Sequence, residues 1–129
     1  DSPAGLAGWI VEKFRAWSDC GGDVESAISR EDLLTNLTAY WVTGTAGSSA
    51  RLYYETLSGG KPVMPTDRVE VPTAVARFPR EIYRPPRRWV EEAFDLRRWT
   101  VMPRGGHFAA LEQPELLVDD VRAFFRGLR

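Results

Sequence analysis

Cysteine, histidine and lysine are all scarce in this 129-residue sequence. Cys20 is the single cysteine, so no disulfide forms within the chain and a reducing, cytoplasmic setting is expected. His107 is the single histidine, and one Cys with one His does not build a zinc site, so no metal is expected. Lysine occurs only at 13 and 61, and every other basic residue is arginine. The net charge is −1, which provides no global basic field for nucleic acid. No apolar run approaches the roughly 18–20 residues of a membrane-spanning helix, and no signal-peptide pattern opens the chain. A Gly-x-Ser-x-Gly elbow is missing. Gly59-Gly60-Lys61-Pro62 carries Pro where a phosphate-binding loop needs Ser or Thr. No cofactor is therefore expected.

What remains is a globular composition with a change of regime in the middle. Ser2-Pro3 reads as an N-cap followed by Pro at the first helical position, and Leu6, Trp9, Ile10, Phe14 and Trp17 follow at helical spacing. Residues 17–23 end that helix in a polar loop. Ser29-Arg30-Glu31-Asp32 resembles a capping box, and Leu33, Leu34, Leu37, Tyr40 and Trp41 supply the apolar face of a second helix. A small, polar break is expected over Thr43–Ser49. A third helix is expected over Ala50–Leu57, stopped by Ser58-Gly59-Gly60 and Pro62.

From about residue 67 the period changes. Val69, Val71, Thr73 and Val75 alternate as in a strand, with Pro72 predicting irregular pairing at one point. Pro85-Pro86 precedes a helix with Trp89, Val90, Ala93 and Phe94 on one face. Arg98–Met102 reads as a second strand. Pro114 starts a last helix with Leu116, Leu117, Val121, Phe124, Phe125 and Leu128 on its buried side. Strand–helix–strand–helix implies a parallel crossover. Residues 1–66 are thus expected to be helical and 67–129 α/β. Parallel sheets normally hold more than two strands, so the second half looks like the end of a larger sheet. The Asp1 start and the immediate first helix likewise suggest the back part of something longer.

The chemistry concentrates in Arg104-Gly105-Gly106-His107-Phe108-Ala109-Ala110-Leu111-Glu112-Gln113-Pro114. A strand, a double-Gly turn, a His and a helix start present an imidazole at the C-terminal edge of a sheet, where ligands gather in α/β folds. Taken alone, such a histidine is more often a plain surface-loop residue. Phe78-Pro79-Arg80-Glu81 follows the first strand as His107 follows the second. Parallel neighbours end on the same side, so Glu81 is placed to fix the imidazole tautomer; an ordinary loop glutamate is an equal reading. Tyr53 and Tyr54 lie on the third helix, where tyrosines usually serve the core. Arg84-Pro85-Pro86-Arg87-Arg88-Trp89 is a local basic patch that reads best as a solvated helix face.

Taken in order, several blocks resemble one family. They are Asp1-Ser2-Pro3-Ala4-Gly5-Leu6-Ala7, Asp32-Leu33-Leu34-Thr35-Asn36, Tyr40-Trp41-Val42-Thr43-Gly44-Thr45, Ser48 to Glu55, and Arg104-Gly105-Gly106-His107-Phe108-Ala109-Ala110. Together they are similar to the microsomal, juvenile-hormone-hydrolase-like branch of the epoxide hydrolases. The resemblance implies a C-terminal part of an α/β-hydrolase fold, with 1–66 the later part of a helical cap. Residues 67–129 would be the last two parallel core strands with their helices. It also implies an ester-forming aspartate, cap tyrosines that hold the oxirane oxygen, and a histidine that activates water. By motif, His107 is the general base, Glu81 its acidic partner and Tyr53 an oxirane-polarising tyrosine, with Tyr54 the lesser choice.

The family's nucleophile aspartate with its glycines, its His-Gly-rich oxyanion segment and its upstream cap tyrosine have no counterpart here. Eight aspartates are present, none in that setting. Two function classes follow. One is the C-terminal portion of an epoxide hydrolase, inactive alone, taking an epoxide and water as substrates and needing the missing N-terminal half. The other is a non-catalytic partner-binding module. Exposed apolar faces would also favour a homo-oligomer.

Overall fold

The computed structural model describes residues 2–59, 65 and 67–128. Its first helix, α1 (Pro3–Trp17), starts where a capping residue and a proline predict. The Ser2 hydroxyl accepts from the Gly5 amide at 2.9 Å, and Pro3 needs no N–H partner at the first helical position. Helix α2 (Arg30–Thr43) is capped by Ser29, whose Oγ accepts from the Asp32 amide at 3.1 Å. The same hydroxyl donates to Asp32 Oδ2 at 2.6 Å, so the box closes through side chains at one of its two bonds. The helix stops at Gly44, whose φ of 65° is the left-handed cap conformation that glycine adopts without strain.

Helix α3 spans Ala46–Ser58, so it starts four positions before the Ala50 expected from sequence. The break narrows to Gly44 and Thr45. The Ser48 and Ser49 hydroxyls explain the difference, because they donate back to Thr45 O and Ala46 O at 2.9 Å each and are absorbed into the first turn. The expected stop at Gly60 and Pro62, and the boundary at 66, lie outside the described residues.

The chain divides into two compact units. The helical unit runs to residue 16 and resumes from 20 to the end of α3. Its buried side chains include Phe14, Cys20, Ile28 and Leu33. Leu34 and Trp41, expected on the buried face of α2, are exposed instead. Helical period identifies which residues share a face, but a face is buried only as far as a partner reaches.

Residues 17–19 cluster with the α/β unit, which continues from 67. Strand β1 (Val69–Arg77) pairs in parallel with β2 (Phe94–Val101). The register runs Val69↔Phe94, Thr73↔Leu96, Val75↔Trp99 and Arg77↔Val101. It shifts between Val69 and Pro72 and again between Thr73 and Ala74, so the irregularity expected at Pro72 is present. A proline lacks the N–H that a regular ladder needs there.

Helix α4 (Arg87–Ala93) joins the strands, and Arg68 Nη1 donates to its last carbonyls, Glu91 O and Glu92 O, at 2.7 and 3.0 Å. Phe94 opens β2 rather than closing α4, and β2 begins four residues before the expected Arg98. A four-residue helical turn, α5 (Ala109–Glu112), precedes α6 (Pro114–Arg126). On α6, Leu116, Leu117 and Phe124 are half-buried, but Val121 and Phe125 are exposed, as is Leu128 just beyond it. The buried residue of α6 is Asp120, which receives Arg98 Nε at 2.7 Å and the Thr100 hydroxyl at 2.6 Å.

Candidate active site

Parallel pairing does not stop at the last residue of β2. The Met102 amide donates to Arg77 O at 2.9 Å, and further on the Arg80 amide donates to Gly105 O at 3.1 Å. Arg80 and Gly106 form an isolated parallel bridge. The two post-strand loops therefore run side by side, one residue short of Glu81 and of His107. The imidazole Nδ1 of His107 and Oε1 of Glu81 lie 2.6 Å apart. The Ile82 amide also donates to Glu81 Oε1, at 2.7 Å, and fixes the carboxylate from its own loop. Both side chains are about one-third exposed, so the pair stands at the surface of the unit within reach of water.

The imidazole is held on its faces as well. Trp17 meets it edge-on with ring centroids 5.3 Å apart, and Phe108 does so at 5.1 Å. Trp17 and Phe108 are themselves nearly parallel, at 20°. Such edge contacts favour the ring orientation that sets Nδ1 against Glu81. In the tautomer with Nδ1 as the donor to Glu81, Nε2 keeps its lone pair, which is the form that general-base chemistry requires.

The double glycine has a steric reason at both positions. Gly105 has φ of 104°, and a Cβ there would stand 2.7 Å from Phe78 Cδ1. A Cβ on Gly106 would stand 2.5 Å from the Trp17 carbonyl oxygen and 3.0 Å from the Asp19 amide. Both glycines are buried against neighbouring groups, which brings the loop close enough for its amides to be bonded.

Those bonds bring in residues that sequence reasoning missed. Glu112, buried, accepts from three amides: Asp19 at 2.7 Å, Gly106 at 2.9 Å and Phe108 at 2.9 Å. Asp19 Oδ2 accepts from the Gly105 amide at 3.0 Å. Trp17 O accepts from the His107 amide at 2.9 Å. Glu112 had one available signal, since an acid four residues after Phe108 can reach back over one helical turn. Asp19 and Trp17 had none, being more than 80 residues away in sequence.

Tyr53 belongs to the helical unit, on α3. Its ring meets Trp9 of α1 edge-on at 6.1 Å, and it is less exposed than Tyr54, at 44% against 73%. No group of three or more metal-ligating side chains occurs among the described residues.

No family model matches the chain. Individual relatives match all or nearly all of it. It is 48% identical to a putative epoxide hydrolase of Stigmatella aurantiaca over its whole length. It is 45% identical to epoxide hydrolase 1 of Oryctolagus cuniculus over 96% of its length, and 45% identical to juvenile hormone epoxide hydrolase 2 of Ctenocephalides felis over 94%. The chain is related over its whole length to the C-terminal part of epoxide hydrolases of the microsomal and juvenile-hormone type. It spans 28–29% of the length of these relatives.

Solved structures agree. The epoxide hydrolase of Aspergillus niger superposes with a TM-score of 0.81 at 29% identity, over 100% of this chain and 31% of that one. The juvenile hormone epoxide hydrolase of Bombyx mori gives 0.79 at 32% identity, over 98% of this chain and 34% of that one. The fold is accordingly a C-terminal part of an α/β-hydrolase, and the paired strands β1 and β2 belong to its parallel sheet. No helix among the described residues is long and apolar enough to cross a membrane.

Proposed function

We propose that this chain carries the water-activating part of an epoxide hydrolase, with His107 as general base and Glu81 as the acid that orients it. The observation that carries the reading is the 2.6 Å approach of Nδ1 to Oε1 at the ends of two parallel strands. The whole-length similarity to epoxide hydrolases supports it. In this reading an aspartate outside the chain attacks an epoxide carbon. The ring C–O bond breaks, and an ester to the aspartate forms. Tyr53 of the cap, 1–66, donates to the oxygen as it becomes an alkoxide. His107 Nε2 then takes a proton from water, whose oxygen adds to the ester carbonyl. As the adduct collapses, the proton held on Nε2 passes to the departing alkoxide oxygen, so that a vicinal diol leaves, the carboxylate is restored and His107 is neutral again. Glu81 stabilises the imidazolium that forms in between. The substrate is a small-molecule epoxide, and the required partner is the segment bearing the nucleophile. A cytoplasmic setting belongs to the same proposal.

The test is His107→Gln in the complete protein, followed by mass spectrometry after exposure to an epoxide. The expected result is a protein that gains one substrate equivalent and does not turn over. A variant that still releases many equivalents of diol removes His107 from its role.

A further inference from the structure

Four successive amides, from Gly105 to Phe108, surround the candidate base, and each has an acceptor outside its own loop backbone. Gly105 donates to Asp19 Oδ2 at 3.0 Å, Gly106 to Glu112 Oε2 at 2.9 Å, His107 to Trp17 O at 2.9 Å, and Phe108 to Glu112 Oε1 at 2.9 Å. The Asp19 amide in turn donates to Glu112 Oε2 at 2.7 Å. One buried carboxylate thus ties together the residue before His107, the residue after it, and the strap at 17–19 that holds His107 itself. Asp19 Oδ1 lies 3.6 Å from Arg80 Nε, on the loop that carries Glu81.

A carboxylate nearly removed from water and bound only to backbone N–H groups does no acid–base work of its own. Its two oxygens take three donors, which no neutral side chain of that length reproduces, because an amide presents a single acceptor oxygen. The loop it holds contains two glycines and has little stiffness of its own. We infer that Glu112, assisted by Asp19, is the positioning residue that holds the His107 loop in register with Glu81. This rests on the reading of His107 as the base for ester hydrolysis. Because its oxygens are taken up by backbone amides of the loop and the strap, Glu112 acts through His107, and its effect falls on the step that His107 serves. Displacing a catalytic group by about 1 Å costs on the order of 100-fold in rate.

The experiment compares Glu112→Gln and Asp19→Ala with wild type in the complete protein. Single-turnover kinetics resolve ester formation from ester hydrolysis. The expected result is hydrolysis slowed about 10- to 100-fold with ester formation changed less than about three-fold. A second readout is the NMR resonance of the His107 Nδ1–H proton, expected to broaden or disappear as the contact with Glu81 loosens. Asp19→Ala leaves Glu112 in place and gives the same step-selective pattern more weakly, so the inference stays testable should Glu112→Gln fail to fold. Equal slowing of both steps, or unchanged hydrolysis and an unchanged resonance in a folded variant, overturns the assignment. If wild type and His107→Gln form no ester at all, the epoxide reading has failed, and the Nδ1–H resonance alone decides the role of Glu112.

Discussion

Adding one methyl group at position 106 should dislodge the candidate base. In Gly106→Ala the new Cβ would lie 2.5 Å from Trp17 O, 3.0 Å from the Asp19 amide and 3.1 Å from Glu112 Oε1. The nearest of these is a backbone carbonyl, which has no rotamer with which to escape. Reaching ordinary van der Waals distance requires a movement of nearly 1 Å between the loop and the strap. That movement stretches the 2.9 Å bond from the His107 amide to Trp17 O beyond useful length. Overpacking costs about 1–3 kcal/mol and a lost hydrogen bond about 1 kcal/mol, so the expected destabilisation is roughly 2–4 kcal/mol. Gly8→Ala is the matched control, because nothing stands within 4 Å of a Cβ there. Gly8 lies inside α1, where alanine should stabilise by about 0.5–1 kcal/mol. Urea unfolding of the complete protein measures both, and ester hydrolysis reports the loop. A Gly106→Ala variant within about 0.5 kcal/mol of wild type, with unimpaired hydrolysis, would refute the close approach on which the site is built.

Two other substitutions separate stability from chemistry. Asp120→Ala removes a buried carboxylate that receives Arg98 and Thr100, and should cost about 2–3 kcal/mol, while Asp120→Asn, which keeps an acceptor, should cost less; thermal unfolding orders the pair. Tyr53→Phe should slow ester formation by about 10-fold or more and spare hydrolysis, since in the proposed reading the lost donor serves the opening alkoxide; rapid-quench kinetics that slow only hydrolysis would reassign that role to Tyr54 or return Tyr53 to packing.

Local chemistry was readable wherever the decision is local. Ser2-Pro3, Ser29 with Asp32, and Pro114 mark helix starts that the structure places within a residue of expectation. Phe94 shows the limit. It follows Val90 by four residues and fits the helical face, yet its place is decided by pairing with Val69, a partner 25 residues away. Helix α6 shows another. Its apolar stripe is present as expected, but Val121 and Phe125 are exposed, because periodicity carries no information on whether a partner covers the stripe. His107 and Glu81 were legible together because parallel strands deliver their following loops to one edge. Glu112 and the strap at 17–19 were not, since their bonds go to backbone amides and leave no mark in side-chain pattern.

The α/β unit leaves much of its own apolar surface uncovered. Val71 is 65% exposed, Val101 62%, Phe125 56%, Leu128 47% and Val121 45%. The described strands form a two-stranded parallel sheet, so the outer edges of β1 and β2 carry unpaired backbone groups. Covering those five side chains from half-exposed to buried stabilises by on the order of 5 kcal/mol, using about 25 cal/mol per Å². That is comparable with the entire net stability of an ordinary domain, roughly 5–15 kcal/mol. A unit that forgoes it has little left with which to remain a folded monomer. The 129-residue chain expressed alone should therefore associate through these surfaces, either with another copy or with the polypeptide that carries the nucleophile. Light scattering should give a mass well above 14.6 kDa or a polydisperse sample. On the proposed reading, mixing with the complementary polypeptide should lower the association and restore epoxide opening, which neither piece should perform separately. A monodisperse 14.6 kDa species with a sharp cooperative melt would show that the chain closes its own core, and the argument from the exposed valines, Phe125 and Leu128 would be wrong.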